Sequence, residues 1–152
     1  MDWRAIVVLA HVLAAFWWIA GYVGTNLCTE IARRSTTDDD CRGALSASER
    51  IDVVANRTGG TAVGLTGLLT MLVFGYSLTT PWVLASIVLF AVVVFGGIFF
   101  WGRFGGQVGA AARAGDWPGV RRSLSEPRIL VYGRVENVIV VAIIVLMVLG
   151  PG

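Results

Sequence analysis

The amino-acid sequence predicts an all-α integral membrane protein, a bundle of four transmembrane helices. Hydrophobic residues make up 56% of its 152 residues and charged residues only 14%, with a mean hydropathy of +0.74. Such a composition is far too apolar for a soluble domain of this length. Four apolar segments are each long enough to cross about 30 Å of hydrocarbon, which takes roughly 20 helical residues. The alternating ten-residue strands typical of a membrane barrel are not visible in the sequence.

The four predicted membrane helices cover residues 3–27, 58–78, 82–101 and 129–149. The first is interpreted as a retained helix rather than a signal peptide, because its apolar stretch is longer than a typical signal core and only Arg4 precedes it. The connections at residues 28–57 and 102–128 are too small to be domains, so the whole chain, 1–152, is predicted to be a single membrane domain.

The basic residues predict the orientation of the helices. All 12 are arginines, and only Arg4 lies away from the two long connections and their edges. By the positive-inside rule both connections are cytoplasmic, whereas both termini and the short 77–81 turn face outward. The arginine-, alanine- and glycine-rich composition fits a bacterial protein, so we expect a multi-pass protein of the bacterial cytoplasmic membrane. Lipid is the expected partner, and nucleic-acid binding is excluded.

The connections contain the expected helix boundaries. Residues 33–50, with Asp38, Asp39 and Asp40, predict a solvated loop in which Ser46 or Ser48 caps a helix that continues into the membrane. The second connection is predicted to break at residues 116–118, and Pro127 is predicted to start the fourth helix.

His11 is the only histidine, and it lies within the first membrane helix. An intramembrane imidazole is a functional-site candidate, although a hydrogen-bonded packing role is the commoner one. Counting 1.5 Å per residue from the outer helix ends places His11 and Met71 at about the same depth. Histidine and methionine form an axial pair for heme iron, so these two residues are the predicted metal ligands, with an exogenous group as the alternative to Met71.

Gly60 and Gly64 have the small-xxx-small spacing of close helix contacts in the second membrane helix. Helix packing is the ordinary explanation. The same face would also admit a flat macrocycle such as heme, so both glycines are candidate cofactor-binding residues.

Polar side chains gather at the predicted cytoplasmic ends of the helices. We expect Arg57 or Arg103 to pair with Glu136 across the bundle, either as a clamp that fixes helix register or as part of a vestibule for a carboxylate. Arg57 or Arg134 would then hold heme propionates. The predicted polar cluster comprises Asn56, Arg57, Arg103, Arg134, Glu136 and Asn137.

The run His-Val-Leu-Ala-Ala-Phe-Trp-Trp-Ile-Ala-Gly, from His11 to Gly21, resembles the first helix of small membrane proteins of the HemJ and CopD superfamily. The Pro81-Trp82 pair and the run Arg134-Val-Glu136-Asn137 resemble the later helices of the same group. The similarity covers all four helices and is closest to the uncharacterised single-domain members, so it implies their four-helix fold.

The resemblance also implies a cofactor. HemJ-type proteins are protoporphyrinogen oxidases that hold heme b through the first-helix histidine, which corresponds to His11, and through a lysine early in the third helix. This chain has no lysine, and Ser86 stands at the matching position. Glu136-Asn137 also reverses the order of the family's Asn-Glu pair. Heme b is therefore the implied cofactor, whereas HemJ-type oxidase activity is disfavoured. CopD-type copper handling is disfavoured too, because the chain offers few metal ligands.

Three functions follow from these observations. The first is a heme-binding redox protein with His11 as a ligand. The second is a non-catalytic accessory subunit of a larger membrane complex or a homo-oligomer, in which glycine faces pack against partner helices. The third is a small transporter of a metal or solute. Hydrolytic catalysis is excluded, because no nucleophile–histidine pair or phosphate-binding loop is present.

Overall fold

The structure is a computed structural model that describes residues 2–150. All regular structure in that range is helical, which confirms the all-α prediction. Three helices are long and apolar enough to cross a membrane: Trp3–Arg34, Pro81–Arg113 and Pro127–Leu149. The chain divides between Tyr76 and Ser77 into two compact units. We call them the N-terminal unit (residues 1–76) and the C-terminal unit (residues 77–152).

The N-terminal unit begins with helix α1, Trp3–Arg34. The Asp2 carboxylate caps it by accepting a hydrogen bond from the Arg4 backbone N–H at 3.0 Å. The helix runs seven residues beyond its predicted end at residue 27. Glu30 accounts for the extension, because it pairs with Arg33 at 2.5 Å and also with Arg34, and cations stabilise a helix C-terminus.

Helix α2, Asp38–Ile51, occupies the segment predicted to be a solvated loop, so that prediction is wrong. The Thr37 hydroxyl caps the helix by accepting from the Asp40 backbone N–H at 3.1 Å. Three aspartates then fill the first turn, where the helix dipole favours negative charge. Ser46 and Ser48 lie inside α2 and do not cap a helix.

A π-helical turn, Asp52–Arg57, joins α2 to helix α3, Thr58–Phe74, without a break in the helical chain. The helix ends four residues before its predicted end. Gly75 follows it with φ +70°, a left-handed conformation that glycine adopts without the steric cost of a Cβ.

The C-terminal unit begins with helix α4, Pro81–Gly96, followed by a second π-helical turn, Gly97–Trp101, and helix α5, Gly102–Arg113. Helix α6, Trp117–Leu124, and helix α7, Pro127–Leu149, complete the unit, and α7 packs along α4. Of the break predicted at residues 116–118, the structure confirms a helix boundary at Asp116, which caps α6 by accepting from the Gly119 N–H at 2.9 Å, whereas Trp117 and Pro118 begin that helix. The predicted start of the fourth helix at Pro127 is also confirmed.

Candidate functional site

Two glycines of the N-terminal unit lie at close backbone contacts, Gly59 between α3 and α1 and Gly21 between α1 and the first π-helical turn. A Cβ added to Gly59 would lie 2.6 Å from the Trp18 Cα, and one added to Gly21 would lie 2.6 Å from the Asn56 backbone nitrogen. Only hydrogen atoms fit at these positions, so both glycines are buried in contacts within the unit.

The same contacts fix the register of the two antiparallel helices. From Trp18 to His11 the chain steps back seven residues along α1, and from Gly59 to Thr66 it steps forward seven residues along α3. The His11 Nδ1 atom then lies 3.0 Å from the Thr66 Oγ1 atom. The glycine contacts therefore select Thr66 as the hydrogen-bond partner of the single histidine.

The Thr66 hydroxyl also lies within hydrogen-bond distance of two carbonyl oxygens of its own helix, that of Ala62 at 2.6 Å and that of Val63 at 3.4 Å. A hydroxyl can both donate and accept, so the contact with Nδ1 orients the His11 ring in either imidazole tautomer. Ligating histidines are oriented in the same way by a hydrogen bond to their other ring nitrogen.

Gly67 provides the space for the His11 ring. A Cβ at Gly67 would lie 3.2 Å from the Cε1 atom of His11, closer than an ordinary carbon contact. Met71 is one turn further along the same face of α3, and helical side chains lean towards the N-terminus of their helix, here towards Gly67. Met71 is half-buried. In the α1–α3 register it lies five residues beyond Thr66, and its pairing with His11 as a metal ligand stays a prediction.

The two glycines predicted to contact a cofactor differ in their surroundings. Gly60 lies beside the Trp18 indole, where an added Cβ would make an ordinary contact of 3.5 Å with Nε1. Gly64 lies on the exposed surface of α3. Packing within the chain therefore accounts for Gly60, whereas Gly64 is open to a ligand, a lipid or another helix.

The polar residues at the start of α3 form a local network in the first π-helical turn. The Asp52 carboxylate accepts from the Asn56 side-chain amide at 2.9 Å and from the Arg57 Nε atom at 2.8 Å. The Arg57 side chain is 72% exposed, so this ion pair contributes little to folding stability. Asn56 and Arg57, two members of the predicted cluster, are thus brought together by Asp52.

Glu136 lies in the C-terminal unit, buried at 6% exposure in the middle of α7. Its Oε2 atom accepts a hydrogen bond from the Trp101 Nε1 atom at 2.8 Å. Trp101 is the last residue of the second π-helical turn, and such turns are frequent at functional sites because the extra residue redirects a side chain.

Aromatic rings surround the Trp101–Glu136 hydrogen bond. The Tyr132 ring stacks on Phe100 with ring centres 3.9 Å apart and meets Trp101 edge-on at 5.7 Å. The Tyr132 hydroxyl lies over Gly96, where an added Cβ would overlap it. Gly96 on α4 is therefore the residue that admits the tyrosine of α7.

The remaining members of the predicted cluster, Arg103, Arg134 and Asn137, are all exposed. Arg134 and Asn137 flank Glu136 in sequence, but their positions on α7 are on its exposed surface. The expected pairing of Glu136 with Arg57 or Arg103 stays a prediction.

Sequence reasoning missed Thr66, Trp101 and Tyr132. The partner of His11 depends on helix register, and the partner of Glu136 depends on a π-helical turn, neither of which leaves a plain sequence pattern. Among residues 2–150, no group of three or more His, Cys, Asp or Glu side chains is placed to hold a metal ion. A protein-only metal centre is therefore not supported there, whereas a metal carried by an organic cofactor needs only one or two side chains.

The comparisons with known proteins bear on the family alone. No curated protein and no solved structure matches the sequence. One family model matches residues 5–151, and its description is a predicted integral membrane protein, DUF2269. The match spans nearly the whole chain and agrees with its three long apolar helices. The protein therefore belongs to the DUF2269 family of predicted integral membrane proteins.

Proposed function

We propose that the protein is a membrane-embedded heme b protein in which His11 is an axial ligand. The observation that carries the proposal is the hydrogen bond between His11 Nδ1 and Thr66, 3.0 Å long. It orients the ring, as outer hydrogen-bond partners do for ligating histidines. The resemblance of the segment from His11 to Gly21 to the HemJ and CopD superfamily supports the same assignment.

The residues of the N-terminal unit fit the needs of a heme. Heme iron takes one or two axial donors from a protein, and His11 supplies one. Met71 is the candidate for the second, and Arg57, whose guanidinium is largely exposed, is the candidate for a propionate. A bound heme would supply one-electron redox chemistry that no side chain of this unit provides.

Absorption spectra of the detergent-purified protein test the proposal. We expect a Soret band with sharp reduced α and β bands, and a pyridine hemochrome of heme b. His11→Ala abolishes these bands, whereas Met71→Leu retains heme and changes the spectrum. A colourless wild type after expression with added heme would overturn the proposal, as would a His11→Ala spectrum identical to that of the wild type.

We also propose that α3 crosses the membrane as a fourth span, with both termini on the outer side of a bacterial cytoplasmic membrane. Helix α3 carries no ionisable side chain. It lies along α1 from Gly59, against Trp18, to Phe74, whose ring centre is 5.8 Å from the Arg4 guanidinium carbon. Because α1 is long and apolar enough to span the membrane, a helix packed along it in this way shares its depth.

Cysteine labelling distinguishes four spans from three. In a variant with Cys28→Ser and Cys41→Ala, a single cysteine is introduced by Thr36→Cys or by Thr79→Cys. A membrane-impermeant maleimide should label position 79 in right-side-out membranes and position 36 only after the membrane is opened. Equal labelling of both positions from one side would contradict a fourth span, because three spans leave residues 36 and 79 on the same side.

A further inference from the structure

Glu136 is a carboxyl group that the proposed heme function does not use. It is the tenth of the 23 residues of α7, a helix long and apolar enough to cross a membrane. Its side chain is buried, with the residue 6% exposed. An ionisable side chain at such a position is energetically costly and usually has a function.

One hydrogen-bond partner of this carboxyl, Trp101, is a neutral donor. Trp101 Nε1 donates to Glu136 Oε2 at 2.8 Å, and the second π-helical turn presents that indole to α7. An indole N–H brings no positive charge to the carboxyl, so it is compatible with a carboxylic acid as well as with a carboxylate. This hydrogen bond is therefore compatible with both protonation states of Glu136.

A small cavity adjoins the carboxyl. Its volume is about 70 Å³, and its lining is aliphatic apart from Tyr132 and Glu136. A cavity of this size has room for a water molecule, and Tyr132 and Glu136 are the two lining residues with polar side-chain atoms. The lining residues are Val92, Val93, Tyr132, Val135, Glu136 and Ile139.

Few charged groups belong to the elements that pack around Glu136. Neither α4 nor the second π-helical turn contains an ionisable residue. On α5 the nearest in sequence to Trp101 is Arg103, which is exposed. On α7 Tyr132 lines the cavity, whereas Arg134 is exposed. The immediate lining thus favours an uncharged occupant.

We propose that Glu136 is a proton-binding site within the membrane. The carboxyl is a neutral acid in the resting protein, accepts the Trp101 hydrogen bond, and exchanges its proton with water in the adjoining cavity. A proton fits this lining better than a metal cation does. Hard cations take about six or more oxygen ligands, and the lining supplies one carboxyl and one phenol among four aliphatic side chains.

Dicyclohexylcarbodiimide tests the proposal, because this apolar reagent partitions into membranes and adds to protonated carboxyl groups. The carboxyl transfers its proton to a carbodiimide nitrogen, and its oxygen bonds to the central carbon. The adduct rearranges to a stable acylurea that mass spectrometry locates. On the purified full-length protein we expect labelling of the Glu136 peptide at neutral pH, a loss of labelling at high pH, and none in Glu136→Gln.

Trp101→Phe tests the role of the indole as a positioning residue. Removing a donor to the carboxyl disfavours the charged form, so the pH midpoint of labelling should rise by about one unit. Trp3→Phe, at an exposed tryptophan, is the matched control and should leave the midpoint unchanged. Circular dichroism and size-exclusion chromatography establish that each variant is folded.

Two outcomes would overturn the proposal. The first is an unlabelled Glu136 in folded wild-type protein at every pH. The second is protection from labelling by sodium or potassium ions at constant pH, which would show that the site holds a metal cation. Neither outcome depends on heme, so this test and the spectroscopic test fail independently.

Discussion

Gly59 of α3 lies against the backbone of Trp18 of α1, so close that a Cβ at Gly59 would be 2.6 Å from the Trp18 Cα and 2.7 Å from its nitrogen. Backbone atoms have no alternative rotamer, and the helices must separate to admit a methyl group. Gly59→Ala is therefore expected to destabilise the protein by about 1–3 kcal/mol. The free energy of unfolding in mixed micelles, followed by circular dichroism during an SDS titration, measures the effect.

Gly60→Ala is the matched control for Gly59→Ala. It adds the same methyl group one residue later, where the nearest atom is the Trp18 Nε1 at 3.5 Å. We expect its effect on unfolding to stay within about 0.5 kcal/mol. Equal losses in both variants would show that the α1–α3 backbone contact does not limit stability.

Gly96→Ala is expected to displace Tyr132, because the new Cβ would overlap its hydroxyl. The stack of Tyr132 on Phe100, with ring centres 3.9 Å apart, would be disturbed with it. A loss of about 1–3 kcal/mol is expected, together with a weaker near-ultraviolet circular dichroism signal. Gly97→Ala, where no atom lies within 4 Å of the added Cβ, should preserve the signal. If it weakens the signal as much, loss of helix geometry rather than the tyrosine contact is responsible.

Thr66→Val removes the hydroxyl that is hydrogen-bonded to His11 Nδ1 while keeping the shape of the side chain. If His11 binds heme, losing this orienting partner should weaken heme retention about 10- to 100-fold. The rate of heme transfer from the detergent-solubilised protein to apomyoglobin reports the change. Thr70→Val, one turn along, is the control, since the Thr70 hydroxyl donates only to the Thr66 carbonyl, at 2.8 Å, in the contacts described. Unchanged heme retention in Thr66→Val would show that this hydrogen bond does not contribute to heme binding.

Thr37→Ala removes the N-cap of α2, at a typical cost of about 1 kcal/mol. We expect the amides of the first two turns of α2 to exchange with solvent about fivefold faster, as measured by hydrogen–deuterium exchange with mass spectrometry. Thr36→Ala, at the exposed neighbouring threonine, should leave these rates unchanged. Comparable acceleration in both variants would mean that the connection as a whole, rather than the cap, limits α2.

The composition, together with the residues that begin and end helices, predicts much of this fold. Long apolar segments predict the three long helices, and Pro127 and the break at Asp116 mark boundaries that the structure confirms. The sequence also held the signal for α2, since a threonine followed by three aspartates is a strong helix start. The prediction of a solvated loop treated the three aspartates as a run of exposed charges and therefore missed this helix start.

The candidate site was less predictable, for physical reasons. Helix α3 is apolar around its whole circumference, so hydrophobic periodicity cannot identify the face that meets His11. That face is set by the Gly59 contact with Trp18. In the C-terminal unit the π-helical turn before Gly102 changes the angular phase of the helix, so extrapolating a regular 3.6-residue period does not bring Trp101 to Glu136.

His11 and Trp18 are seven residues apart on α1, as Gly59 and Thr66 are on α3, and this equal spacing restricts where the chain can gain or lose residues. Deleting one residue between His11 and Trp18 would turn the histidine by about 100° around α1 and shift it by about 1.5 Å along the axis. It would then no longer face Thr66, and no single deletion in α3 restores both its angle and its height without disturbing Gly59. Insertions and deletions among relatives should therefore fall in the Ser35–Thr37 connection or beyond Gly75, while the paired stretch keeps its residue count.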